Sequence, residues 1–167
     1  MNLSFIIPTL NEERTLLSNL IFLKRIRKYL NAELIVVDGG SHDSTVNIAK
    51  TLSCNVYISE PSRSKQFNLG AKHARGKYLV FLHADTILDN DAIDHLKKIK
   101  KNTQWGFFSI KIKSNNFKYK ILSALINIRS RLFNYATGDQ VMIVENNFFY
   151  RVKGLSLIHI SEPTRPY

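Results

Sequence analysis

Short apolar runs alternate with helical spacing along most of this chain. The runs are rich in leucine and β-branched residues, which is typical of strands buried on both faces of a parallel sheet. After the first run, leucines at 16, 17, 20 and 23 share the spacing of one helix face. The alternation predicts an α/β fold in which helices cover both faces of a mostly parallel sheet. The predicted strands are 3–7, 33–38, 55–59, 78–82 and 107–113, and the predicted helices are 12–29, 44–52, 65–74, 89–101 and 117–133.

Two of the predicted strands lead to an acid. Glu33–Asp38 is followed by the turn sequence Gly-Gly-Ser, and Tyr78–Leu82 is followed by His-Ala-Asp, which ends at Asp85. The carboxyl ends of parallel strands meet at one edge of the sheet, where open α/β folds bind their ligands. The sequence therefore predicts that Asp38 and Asp85 belong to a ligand-binding edge.

Length and composition predict one domain with a real core. The chain has 167 residues, of which 44% are hydrophobic and 22% charged. The single cysteine, Cys54, excludes an internal disulfide and a cysteine-rich zinc site, and it fits a reducing compartment. The sequence shows neither an export signal nor an apolar run of about eighteen residues. We therefore expect a cytoplasmic protein, which could lie at the inner face of the membrane.

The net charge of +11 comes from one part of the chain. Residues 1–96 hold 11 Lys and Arg against 10 Asp and Glu, whereas residues 97–154 hold 12 against 2. The basic part includes the helix candidate 117–133, whose apolar residues have helical spacing and whose basic residues lie towards its ends. Such a helix could contact an anionic membrane surface or be an ordinary, partly solvated surface helix. No nucleic-acid partner is expected, because no helix-turn-helix, zinc-finger or RNA-binding aromatic motif accompanies the charge.

The last thirteen residues, 155–167, do not continue the pattern before them. They begin like a weak strand, contain two prolines, and resemble the in-frame translation of a sequencing-library adapter. We therefore treat 155–167 as a non-native tail and 1–154 as an incomplete natural domain. A genuine C-terminal tail is the alternative.

The first strand-to-helix turn, Pro8–Glu12, excludes two common nucleotide sites. It contains neither Gly-x-Gly-x-x-Gly nor Gly-Lys-Ser/Thr, so it is neither a dinucleotide fingerprint nor a P-loop. The predicted edge instead offers acids at 12, 38 and 85 and the basic, amide-rich segment Arg63–Gly70. An acid that holds a divalent metal beside an arginine would bind a diphosphate well.

Six segments stand out by their order and spacing along the chain: Phe5–Glu12, Val36–Thr45, Arg63–Gly70, Ala74–Gly76, Phe81–Thr86 and Gly138–Gln140. Together they resemble the family 2 glycosyltransferases, which have a GT-A fold. The resemblance covers essentially all of residues 2–154. The His-Ala-Asp and Gly-Asp-Gln variants resemble the subgroup labelled arsenosugar-biosynthesis-type.

The resemblance implies a Rossmann-like domain that binds a nucleotide-sugar donor. It assigns donor binding to eight residues: Pro8, Thr9, Glu12, Asp38, Arg63, Gln66, Asn68 and Asp85. Five of these assignments have a structural alternative. Asp38 would cap its own turn, and Glu12 would complement a helix dipole. Arg63 would be a solvated loop residue, and Gln66 and Asn68 would be ordinary polar residues on a helix surface.

Asp85 matches the last acid of the family's Asp-x-Asp element. The resemblance implies that it binds Mn²⁺ or Mg²⁺ and, through the metal, the diphosphate of the departing nucleotide. His83 stands where the first acid of that element would be. It could weaken a sugar or ribose contact, supply a softer ligand, or be a hydrogen-bonded histidine at a strand end.

The resemblance also implies sugar transfer with inversion, for which a general base must activate the acceptor. Gly138, Asp139 and Gln140 would lie on the acceptor side, and the base would lie beyond Gly154. Asp139 and Glu145 are the remaining acids between 97 and 154 and are poor substitutes for it. We therefore expect the 167-residue chain to bind donor weakly and to turn over little.

Two other functions stay open. A nucleotidyltransferase also combines an α/β sheet with an acidic metal site, but it usually carries a glycine-rich loop with Lys or Arg directly after the first strand. Pro8–Glu12 lacks such a loop. The second alternative is a non-enzymatic module that binds a membrane surface through residues 97–133.

Overall fold

The computed structural model describes residues 2–100, 102–109, 117–133 and 140–155, in which strands and helices alternate. The predicted α/β class is confirmed. The elements are β1 Leu3–Thr9, α1 Glu13–Leu30, β2 Ala32–Asp38, α2 Thr45–Thr51, β3 Asn55–Ile58, α3 Arg63–His73, β4 Tyr78–Phe81, α4 Asn90–Lys97, β5 Trp105–Phe107, α5 Phe117–Phe133, β6 Met142–Glu145 and α6 Asn146–Arg151.

The strands form one six-stranded sheet in the order β3-β2-β1-β4-β6-β5. The pairs among β3, β2, β1 and β4 are parallel, whereas β6 runs antiparallel to both β4 and β5. The sheet is therefore mostly parallel, as predicted. The sequence analysis missed β6 and α6, two short elements of four and six residues.

Alternate residues of β1 build a core on each face of the sheet. Phe5 and Ile7 belong to the cluster that includes α1, α2 and α4, and Ile6 to the cluster that includes α3 and α6. This two-sided burial explains why β1 and β2 read as continuous apolar runs. Within α1, positions 16, 20 and 23 are fully buried, whereas Leu17 is 46% exposed and does not share their face as the spacing predicted.

β1 extends to Thr9 rather than stopping at Ile7 as predicted. The Ile6 carbonyl accepts the Leu82 N–H at 3.1 Å, so the backbone of Ile6 faces β4. Pro8, two residues on, faces the same side, beyond the last pair between these strands, Ile6 with Phe81. Its missing N–H therefore costs no bond of the β1–β4 ladder.

Three other elements have an end that differs from the prediction by two residues or more. α3 begins at Arg63 rather than at residue 65, because the Gln66 N–H already bonds the Ser62 carbonyl at 2.8 Å. α4 ends at Lys97, within a lysine-rich stretch whose charges repel one another, and not at residue 101. β5 covers residues 105–107, and the predicted strand residues 110–113 lie outside the described part of the chain.

α3 approaches the sheet closely at Gly70. A Cβ there would lie 2.3 Å from Ile6 Cγ2 and 3.2 Å from Val37 Cγ2. We expect Gly70→Ala to lower the free energy of unfolding by about 1–2 kcal/mol, since overpacking outweighs the helix propensity that alanine gains. Gly106→Ala is the matched control, because no heavy atom lies within 4 Å of its Cβ position. Urea denaturation compares them, and equal stability of both variants would contradict this packing.

Candidate functional site

The carboxyl ends of β1, β2 and β4 meet at one edge of the sheet, as the sequence predicted. Thr9 pairs with Asp38, and Asp38 with Ile58, so three strands end at the same level. β4 ends at Phe81 and leads directly to Asp85 on this side. We call residues 8–12, 38–44, 59–63 and 83–85 the carboxyl edge.

The Asp38 carboxylate is buried and accepts four hydrogen bonds. Oδ1 accepts from Thr9 Oγ1 at 3.0 Å and from Ser41 Oγ at 2.5 Å. Oδ2 accepts from the N–H groups of Gly40 at 2.9 Å and Ser41 at 2.7 Å. These bonds occupy about as many acceptor positions as a carboxylate offers. Asp38 therefore caps its own turn, which was the structural alternative, and its contact with a nucleoside stays a prediction.

Asn11 joins the first loop of the carboxyl edge to the second. Its N–H donates to Ser41 Oγ at 2.8 Å, and its Oδ1 accepts the His42 N–H at 2.9 Å. Its φ of +54° lies in the left-handed region, which asparagine tolerates better than most residues. The two loops are therefore held as one unit.

Glu12 and Asp43 add further links between the same loops. The Glu12 N–H donates to Thr45 Oγ1 at 2.8 Å, and Glu12 Oε2 accepts from Thr15 Oγ1 at 2.7 Å. The two Asp43 oxygens accept from the N–H groups of Thr45 and Glu13 at 3.0 and 3.2 Å. Burial acts to raise the pKa of Asp43, but the hydrogen bonds from Thr45 and Glu13 together outweigh it and hold the pKa below its ordinary value.

α3 supports the carboxyl edge through Gln66. This side chain is buried, and its Nε2 donates to the carbonyls of Thr9 at 2.9 Å and Val37 at 2.8 Å. Gln66 is thus not a helix-surface residue, as the alternative supposed, but a clamp on the ends of β1 and β2. Arg63 is the first residue of α3 and half-buried, rather than a loop residue. It lies where the helix dipole is positive, which favours an anionic ligand nearby.

Asn68 lies further along α3 and is engaged elsewhere. Its Nδ2 donates to the Leu155 carbonyl at 3.0 Å, and its Oδ1 accepts the Leu155 N–H at 2.9 Å. These bonds connect α3 to the chain after α6. Donor binding by Asn68 stays a prediction, and the contacts of its side chain give no support to it.

Asp85 is one of two exposed acids of the carboxyl edge, the other being Glu60. Asp85 is the one that follows β4. It lies in a turn closed by the Thr86 N–H on the His83 carbonyl at 3.1 Å. Asn19 of α1 holds this turn, since its Nδ2 donates to the carbonyls of His83 at 3.3 Å and Ala84 at 3.0 Å. The His83 ring is buried against Phe67, with ring centroids 5.9 Å apart. The turn is thus fixed from both sides while the Asp85 side chain faces solvent.

The side chains available for a metal are few. Among the residues that the structure describes, no group of three or more His, Cys, Asp or Glu is arranged to hold a metal ion. Asp85 and Glu60 both offer an exposed carboxylate at the carboxyl edge, and Glu60 pairs with Lys65 of α3. Magnesium-type sites often use one or two protein carboxylates and complete their shell with phosphate oxygens and water. The residues present therefore fit a metal that binds together with a diphosphate.

Gln140 is the described member of the predicted acceptor group, since Gly138 and Asp139 lie outside the described residues. It is fully buried, and its Oε1 accepts from Ser130 Oγ of α5 at 3.0 Å. Phe81 pairs with Met142, so Gln140 lies at the end of β4 that leads to Asp85. Glu145 pairs with Tyr78 at the opposite edge of the sheet, where it cannot serve as a base for this site.

The sequence analysis missed the residues that hold the loops. Asn19 sits among the buried leucines of α1, and a polar residue on an apolar helix face was the available signal. Thr45 is fully buried at the start of α2 and bonds both Glu12 and Asp43. No sequence pattern indicates Thr45. Its partner Glu12 is distant in the chain, and its partner Asp43 belongs to a common type of helix cap.

Comparison with known proteins identifies the family of this chain. The model of the family "Glycosyl transferase family 2" matches residues 4–156. The chain therefore belongs to glycosyl transferase family 2, as the resemblance implied.

Two relatives illustrate how the chain lies within larger proteins. An uncharacterized protein of Methanocaldococcus jannaschii is 28% identical over 158 residues, which cover 87% of this chain and 65% of that protein. The poly-beta-1,6-N-acetyl-D-glucosamine synthase of Staphylococcus epidermidis is 31% identical over 111 residues, or 62% of this chain and 27% of that enzyme. The chain thus spans less than two thirds of the length of either relative.

Solved structures show the same fold. TarS of Staphylococcus aureus superposes with a TM-score of 0.64 at 20% identity, over 91% of this chain and 49% of that one. The mannosyltransferase PcManGT of Pyrobaculum calidifontis, solved with GDP-Man and Mn²⁺, gives 0.60 at 19% identity, over 93% and 47%. Glucosyl-3-phosphoglycerate synthase of Mycobacterium tuberculosis, solved with Mn²⁺ and UDP, gives 0.61 at 18% identity, over 87% and 57%.

The loop network predicts a specific cost for removing the Thr45 hydroxyl. We expect Thr45→Val to lower the free energy of unfolding at pH 7 by about 1–2 kcal/mol, because the Glu12 N–H and the Asp43 carboxylate lose a partner. Thr51→Val is the control, since its exposed hydroxyl bonds only the Asn47 carbonyl of its own helix.

The same substitution should change the acid end of the stability profile. A carboxyl with a lowered folded-state pKa stabilises the protein above its ordinary pKa, and that contribution disappears as the pH falls below it. Thr45→Val should therefore cost less at about pH 3 than at pH 7 in urea titrations. A cost that is independent of pH would contradict the role given to Asp43.

Proposed function

We propose that the natural protein transfers a sugar from a nucleotide-sugar donor to an acceptor, with inversion, and that this chain carries the donor site. The observation that carries the proposal is the carboxyl edge. It combines a preformed pair of loops, the arginine at the start of α3 and the exposed Asp85 on one side of the sheet. Membership of glycosyl transferase family 2 supports it.

The donor would lie along the edge from β2 to β4. In this arrangement the nucleoside contacts the loops around Pro8, Thr9, Glu12 and Asp38, and the diphosphate lies between Arg63 and Asp85. An arginine and a metal-bearing carboxylate complement the two phosphates. Two solved neighbours contain GDP-Man or UDP, which supports a nucleotide ligand.

We further propose that Asp85 holds Mn²⁺ or Mg²⁺. Its oxygen ligand suits either ion, and two solved neighbours contain Mn²⁺. The metal would neutralise the charge that develops on the leaving diphosphate. The fixed turn from His83 to Asp85 would keep the carboxylate in place without consuming its lone pairs, since no hydrogen bond from another described side chain engages it.

The acceptor half of the reaction is the least represented in this chain. A base beyond Gly154 and an acceptor contact by Gly138, Asp139 and Gln140 stay predictions, as does the arsenosugar-type subgroup. Glu145 does not fill the role, because it lies at the opposite edge. We therefore propose weak donor binding and little turnover for the 167-residue chain, and normal multiple-turnover transfer by it would contradict this.

We also propose that residues 117–133 contact a membrane surface. The observation that favours this second function is that α5 exposes its large apolar side chains. The contact is compatible with sugar transfer, because α5 is bonded to Gln140 beside the carboxyl edge.

Calorimetric titration with UDP and GDP, with and without Mn²⁺, tests the donor site. We expect metal-dependent binding that weakens by roughly tenfold or more in Asp85→Asn, about the value of one lost ionic contact. Asp94→Asn is the matched control, because Asp94 is an exposed acid on α4 away from the edge. Binding that ignores the metal and Asp85 would refute the proposal, and preference for nucleoside triphosphates would favour the nucleotidyltransferase.

A further inference from the structure

α5 turns most of its described large apolar residues outward and its two serines inward. Ile121, Leu125, Ile128 and Leu132 are 46%, 59%, 54% and 72% exposed. At 3.6 residues per turn, these four positions lie within about 60° of one another on the helix. Ser123 and Ser130, on the opposite side, are 8% and 0% exposed. A surface helix of a globular protein usually has the reverse arrangement. We call residues 121, 125, 128 and 132 the apolar stripe.

The charges around the apolar stripe indicate what could cover it. Lys118 and Arg129 are exposed on α5 and lie about 50–70° from the centre of the stripe. The sequence of α5 contains no acid, and residues 97–154 hold 12 basic residues against 2 acidic ones. An apolar strip flanked by cations suits the boundary between lipid headgroups and acyl chains, where anionic headgroups attract the basic side chains. A bilayer with anionic lipids therefore complements this surface.

The position of α5 relates the stripe to the carboxyl edge. Ser130, directly behind the stripe, donates to Gln140, which precedes β6. β6 is paired with β4, and Gln140 lies at the end of β4 from which the chain continues to Asp85. By contrast, the carboxyl end of α1, with Tyr29, precedes β2 and lies at the opposite edge of the sheet.

We infer that α5 docks in the plane of an anionic bilayer through the apolar stripe, and that docking holds the carboxyl edge, rather than the opposite edge, next to the membrane surface. The first part deepens the membrane contact proposed above. The second part fixes an orientation, and neither part depends on sugar transfer. No described helix is long and apolar enough to cross a membrane.

Co-sedimentation with vesicles tests the docking surface. We expect the chain to bind phosphatidylcholine vesicles containing phosphatidylglycerol at least about tenfold more tightly than phosphatidylcholine alone. Leu125→Ser with Leu132→Ser, and separately Lys118→Gln with Arg129→Gln, should each weaken binding by about tenfold or more. Two control pairs on exposed positions of α1 remove matching groups and should change binding by less than about threefold: Leu17→Ser with Ile21→Ser, and Lys24→Gln with Arg25→Gln.

Fluorescence quenching tests the orientation. Ile87→Cys places a label two residues after Asp85, and Tyr29→Cys places one at the opposite edge; both positions are exposed. Burial raises the pKa of Cys54 to about 11, so a maleimide at pH 7 should label the introduced thiol in preference to Cys54. Lipids with nitroxide-labelled headgroups should quench the label at 87 more strongly than the label at 29. Equal or reversed quenching would overturn the orientation.

Two results would overturn the docking itself. One is vesicle binding that the stripe and basic variants leave unchanged while circular dichroism shows them folded. The other is failure to bind anionic vesicles together with a concentration-dependent dimer that Leu125→Ser with Leu132→Ser dissociates, which would assign the stripe to a second copy of the chain. Unfolding of the double variant would move the test to Lys118→Gln with Arg129→Gln, whose exposed side chains contribute little to stability.

Discussion

Burial of the Asp38 carboxylate is the constraint on which the carboxyl edge depends. A carboxylate removed from water is costly unless hydrogen bonds replace its hydration. Here the donors are the hydroxyl of Thr9 at the end of β1 and three groups of Gly40 and Ser41 in the following turn. The three bonds within the turn are local, whereas the bond from Thr9 forms only when β1 and β2 are paired. The two loops therefore reach their final geometry on folding, and a ligand would not have to order them.

The edge divides into a rigid and an open half. Around Asp38, Asn11 and Gln66, nearly every polar side chain is engaged with another loop or strand end. Around Asp85, the backbone is held by Asn19, but the carboxylate is exposed. A fixed half suits recognition of a nucleoside, and a carboxylate with unused lone pairs suits a metal that arrives with its diphosphate. The same contrast explains why the described residues contain no closed metal cluster.

The sequence predicted those features that depend on local pattern. Buried parallel strands read as apolar runs, so the position of Asp38 and Asp85 at one edge followed from the run lengths and the alternation. The role of Gln66 was harder to predict from the sequence, because its burial results from the close approach of α3 to the ends of β1 and β2. The helical spacing of the apolar residues in α5 was also apparent in the sequence. Spacing shows which residues share a face of the helix but not which face turns inward. The hydrogen bond from Ser130 to Gln140 shows that the face with the serines turns inward.

The reversal of direction at β6 determines what the later part of the chain can contribute. Because β6 runs antiparallel to β4, its first residues lie at the carboxyl edge and its last residue lies at the other edge. Gln140 is therefore brought to the side of Asp85, together with α5, whereas Glu145 is carried away from it. If β6 ran parallel to β4, Glu145 would lie at the carboxyl edge and Gln140 at the opposite edge. The antiparallel pairing thus joins an exposed apolar helix to the carboxyl edge and leaves Glu145 out of reach of it.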